Sequence, residues 1–114
     1  MIVKIFALSL LTALAASASP FACNLKALTP DQRTRHAKLT RDLLAGVTER
    51  RELPDGYAFR IHAALSDAGE WIALEHKCCP FFRFRLDVAG EEWLSIQGTE
   101  GVKQFIAAEF RFAP

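Results

Sequence analysis

Residues able to do chemistry crowd into one stretch, EHKCCPFFRF, running from Glu75 to Phe84. Adjacent thiols at Cys78 and Cys79 follow a carboxylate at Glu75 and an imidazole at His76, and Pro80 comes directly after them. On an α-helix, positions three and four apart share a face. Glu75, Cys78 and Cys79 stand at i, i+3 and i+4, so a single turn gathers one carboxylate and two sulfurs. His76 precedes Cys79 by three and adds a ligand from the side; His62 and His36 rank below it. Cys23, the remaining one of three cysteines, reaches the cluster only through the fold.

That donor set points to soft-ion chemistry. Thiolates select copper(I), zinc and other thiophilic ions, carboxylate and imidazole extend such a site toward zinc, and three sulfurs suit a trigonal metalloid. The expected ligands are Cys78, Cys79, Cys23, Glu75 and His76, for a metal ion or small ligand as partner. Pro80 ends the helix beneath them because the residue before a proline is pushed out of helical geometry, and Phe81 packs behind. The last turn is the negative end of the helix dipole and raises thiol pKa values; Lys77, Arg83 and Arg85 are the cations placed to offset this.

Two other readings of the same residues stay open. A thiol-disulfide redox protein or sensor would use Cys79 as attacking sulfur, the more exposed of the pair by its helix-end position. Cys78 or Cys23 would then resolve, with Glu75 as proton acceptor. A non-catalytic structural or interaction domain would simply bury its cysteines as small hydrophobes. A disulfide between neighbours is strained, since consecutive Cα atoms lie ~3.8 Å apart against ~4.4 Å at the lower end of ordinary bridges. A bridge from Cys23 to Cys78 or Cys79 is easier and leaves one thiol over. No catalytic triad, phosphate loop or paired carboxylates is visible, which leans away from an enzyme.

The elements that must position these groups are legible in outline. Thr29, Pro30 and Gln32 form a helix start with a capping box. Leu39, Leu43 and Val47 then recur at helical spacing until Pro54, Asp55 and Gly56 break the helix. Tyr57 to Leu65 alternates as a strand, with Arg60 and His62 outward. Ser66 or Asp67 caps a second helix along Trp71, Leu74 and Cys78. Phe82 to Val88 and Glu92 to Gly98 make a hairpin around Gly90, and Thr99 caps a final helix along Val102, Phe105, Ile106 and Phe110. The order α-β-α-β-β-α, with one apolar side per strand, predicts an α+β two-layer sandwich: a small sheet with helices mainly on one face.

Met1 to Ala18 reads as a secretory signal peptide, with Lys4 before an apolar run and Ala16-Ser17-Ala18 as cleavage site. Residues 19–28 form an N-terminal segment and 29–114 the single domain, so the chain is expected to be secreted or periplasmic. Membrane attachment enters only if Cys23, preceded by Ala22, is a lipoprotein cysteine. Fourteen basic residues face 13 acidic ones for a net charge of +1, and loss of Lys4 brings it to neutral. This balance argues against nucleic acid as a partner. The cluster Arg33, Arg35, Lys38 and Arg41, with Arg50 and Arg51 further on, reads as a solvated helix face.

GYAFR, the run from Trp71 through Glu75 and CCPFFRF, and WLSIQGTEGVKQFI together resemble a group of small uncharacterised bacterial proteins that share an E-x-x-CCPF block. The resemblance covers the chain from about Cys23 onward and implies that Glu75, Cys78, Cys79, Pro80 and Phe81 act as one unit. Relatives often carry an early cysteine, which Cys23 matches, and their occasional association with heavy-metal resistance is in keeping with a thiophilic ligand.

Overall fold

A computed structural model describes residues 21–111; the expected signal peptide lies outside them. Asn24 caps a short 3-10 turn, Leu25–Ala27, and Thr29 then opens helix α1, Pro30–Ala45. Both halves of the capping box are present: Gln32 N–H donates to Thr29 Oγ1 (3.2 Å) and Thr29 N–H to Gln32 Oε1 (3.0 Å). The helix stops earlier than its apolar spacing predicts. Gly46 caps it, donating its N–H to the Leu43 and Leu44 carbonyls, and Val47 lies beyond the end.

An additional strand comes next. β1, Glu49–Leu53, turns at Pro54-Asp55 and pairs antiparallel with β2, Gly56–Ile61. Helix α2, Leu65–Cys78, starts after Ala64 without a side-chain cap, so neither Ser66 nor Asp67 plays that part. β3, Arg83–Asp87, and β4, Glu92–Gln97, form the second hairpin, and α3, Val102–Glu109, closes the described chain. Gly101 takes the N-cap of α3 at φ 91°, a left-handed conformation that favours glycine, while Thr99 contributes only its carbonyl to Val102 N–H.

The sheet runs β1-β2-β4-β3 with every pair antiparallel, so no parallel crossover arises among these strands. The architecture is the expected α+β sandwich with one strand more. Phe59, Ile61, Leu94 and Ile96 are buried on the helix-facing side, together with Leu39, Leu43, Trp71, Val102 and Ile106 from the helices. Trp71 stands at the centre. Its ring meets Phe84 and Phe110 edge-on, centroids 5.8 and 5.9 Å away, and its Nε1–H donates to Thr40 Oγ1 at 2.9 Å. On the other side, register lines up Arg51, Ala58, Ser95 and Arg85 across the four strands.

Two contacts fix α1 against α2 where the site lies. Arg35 reaches Glu70 at 2.8 Å and Asp67 at 3.3 Å, and the next residue, His36, faces Glu75. Among the described residues no helix is long and apolar enough to cross a membrane.

Candidate functional site

Helix α2 ends where the chemistry begins. Cys78 is its last residue and Cys79 its C-cap, the Cys79 N–H donating to the Glu75 carbonyl at 2.7 Å. Glu75, one turn earlier, therefore lies beneath both cysteines. Cys78 Sγ is 4.0 Å from Glu75 Oε1, Cys79 Sγ is 3.6 Å from Oε2, and the two sulfurs are 3.8 Å apart.

Cys23 comes to the same spot and is bonded to Cys79, the Cα atoms 4.6 Å apart. A backbone bond from Asn24 N–H to the Cys78 carbonyl (2.7 Å) holds the N-terminal segment beside the bridge. Cys78 remains the free thiol. A bridged Cys23 has no sulfur left to carry a lipid, so the disulfide and lipoprotein anchoring exclude each other. The expected difference in exposure within the pair is corrected: Cys78 and Cys79 are each 1% exposed, and Cys23 is the half-buried sulfur.

The imidazole comes from α1 and not from α2. His36 Nε2 and Glu75 Oε1 share a hydrogen bond of 2.6 Å, with both side chains largely buried. His76 is exposed and rests edge-on against Phe84, because i+1 from Glu75 is a different face of the helix. Arg83 and Arg85 also stand apart. They project from β3 on the sheet side away from the helices, and Arg83 pairs with Asp55 at 2.8 Å. Neither lines the pocket, so the expected offset to thiol pKa is missing from the site. Pro80 is exposed, and Phe81 stacks behind the bridge between Phe21, Phe82 and Phe105, centroids 5.1, 4.9 and 5.5 Å away.

These groups open on a cavity of about 420 Å³. Its lining takes polar groups from Cys23, Cys78, Cys79, Glu75, His36, Thr40 and Glu109 and apolar ones from Phe21, Leu25, Phe105 and Phe110. Two overlapping sets have ligand atoms within 4.8 Å of one another: His36, Glu75 and Cys78, and Cys23, Glu75 and Cys79, the second a thiolate set only once its bridge is reduced. Glu75 is common to both.

Electrostatics favour the protonated forms here. Burial pushes the Glu75 carboxyl above its ordinary range, with His36 pulling it back. Burial first, then the nearby Glu75, push the Cys78 thiol up to about 11, in line with its place at the negative end of α2. The sequence carried one sign of His36: it precedes Leu39 and Leu43 by three and seven, on the stripe that packs inward.

Comparison of the chain with known protein families, curated proteins and solved structures gave no match.

Proposed function

We propose that this protein captures a thiophilic metal or metalloid ion, and that reduction of the Cys23–Cys79 bridge makes the site competent. The observation that carries the reading is convergence: three sulfurs, Glu75 and His36, drawn from the N-terminal segment, α1 and α2, meet in one cavity. Such a mixed soft and borderline donor set suits zinc, copper(I) or a trivalent metalloid. The raised Cys78 pKa fits poorly with a standing nucleophile, and it means that an incoming ion must displace a tightly held proton. Export to an oxidising compartment belongs to the same reading, since a structural disulfide persists there.

The test is thermal unfolding of protein reduced with a trialkylphosphine and then desalted, so that no dithiol competes. Arsenite, zinc, copper(I) or mercury(II) should raise Tm, by an amount that grows with free ion as binding to the folded state requires. Cys78→Ser and Cys79→Ser should each abolish the rise. No rise with any of the four ions ends the proposal.

The bridge itself, with a third sulfur 3.8 Å from Cys79 Sγ, favours a second reading as a thiol-disulfide redox protein. There the reduced and oxidised forms would interconvert with a small thiol at a defined potential, and ions would leave Tm unmoved.

A further inference from the structure

A naked ion is a small occupant for this cavity. Its volume of about 420 Å³ falls in the range of pockets for small organic ligands, roughly 300–1,000 Å³, while a water's share of liquid is about 30 Å³. The lining is also more apolar than a bare ion needs. Beside the sulfurs, Glu75, His36 and a second carboxylate at Glu109, the lining carries four large apolar side chains, Phe21, Leu25, Phe105 and Phe110. Leu25 leaves half its surface exposed at a place where a polar residue would serve a hydrated ion better.

From this size and mixed lining we infer that the site's ligand is an organo-substituted soft electrophile: a thiophilic metal or metalloid centre bearing one aryl or alkyl group, the centre on the sulfurs and the organic group against the apolar side chains. The inference rests on the thiophilic reading of the site and names its substrate class. The chemistry balances without a change of oxidation state at the metalloid. A dithiol first reduces the Cys23–Cys79 bridge and is itself oxidised to a disulfide. An arsenical R–As=O then meets Cys78 and Cys79. Two S–H bonds break, two As–S bonds form, and the oxide departs with both protons as water. The organic group takes the third position on arsenic, the one Cys23 would supply to bare arsenite.

Titrations of the reduced, desalted protein with phenylarsine oxide and with arsenite, side by side, test this. Leu25→Ala, folding-safe because Leu25 is half exposed, should weaken phenylarsine oxide binding about threefold, and Leu25→Ala/Phe105→Ala about tenfold or more, from lost apolar burial. Arsenite affinity should stay within about twofold in both variants, while Cys23→Ser should lose arsenite by more than about tenfold and keep the phenyl compound. Lining variants that weaken both ligands alike, or neither, overturn the inference and leave ion capture standing. Wild-type protein that binds neither compound overturns the inference, and overturns ion capture as well if zinc, copper(I) and mercury(II) also leave its Tm unmoved.

Discussion

At Cys78 a thiol sits under a helix end, 1% exposed, with a carboxylate beside it. Its pKa of about 11 against an ordinary 9.0 has two measurable consequences. At pH 8 the thiolate is roughly a hundredfold scarcer than in a free cysteine, so iodoacetamide should label native, bridged protein at least that much more slowly than a cysteine peptide. Labelling at the peptide's rate would show that the thiol is neither buried nor shifted. The second consequence is for stability. A folded-state pKa above the unfolded one leaves the stabilisation whole below pH 9 and removes it as pH climbs from 9 to about 11. The wild-type urea midpoint should therefore fall more steeply across that window than that of Cys78→Ala, and parallel slopes would contradict it.

Among the elements, those with an apolar rhythm were readable and the one without it was not. Leu94 and Ile96, Phe59 and Ile61 alternate because one side of their strands meets the helices. β1 has no such alternation. An outermost strand of sequence ERREL shows solvent on both sides, so its charges look like the continuation of a solvated helix. Gly46, the true stop, was outranked by the louder Pro54-Asp55-Gly56, which proved to be the hairpin turn. The cysteine-bearing turn was legible because i, i+3 and i+4 are properties of a single helix; His36 was not, since its partner lies 39 positions away. Glycines give a test at this scale. A methyl at Gly56 would overlap the Ile96 carbonyl across the β2-β4 pair, whereas nothing lies within 4 Å of one at Gly69 in α2. Gly56→Ala should cost on the order of 2–4 kcal/mol, and Gly69→Ala should gain about 0.5–1 kcal/mol, both by urea denaturation. Similar midpoints for the two variants would refute the tight β2-β4 approach.

For the molecule as a whole, the bridge spans 56 residues and so ties the N-terminal segment to the far end of α2. Closing a loop of that length removes about 4 kcal/mol worth of unfolded-state entropy at 25 °C. Cys23→Ser should lose stability of that order relative to bridged wild type and match phosphine-reduced wild type; a variant as stable as the bridged form would show that the tie is idle. The layout of the sheet bears on what happens once the tie is cut. Its two outer strands carry Glu49, Arg50, Arg51 and Glu52 on one border and Arg83, Arg85 and Asp87 on the other. Borders so studded with charge discourage a neighbouring chain from adding itself as a further strand. Cutting the bridge should therefore loosen the N-terminal segment without opening a sheet edge to strand-by-strand association.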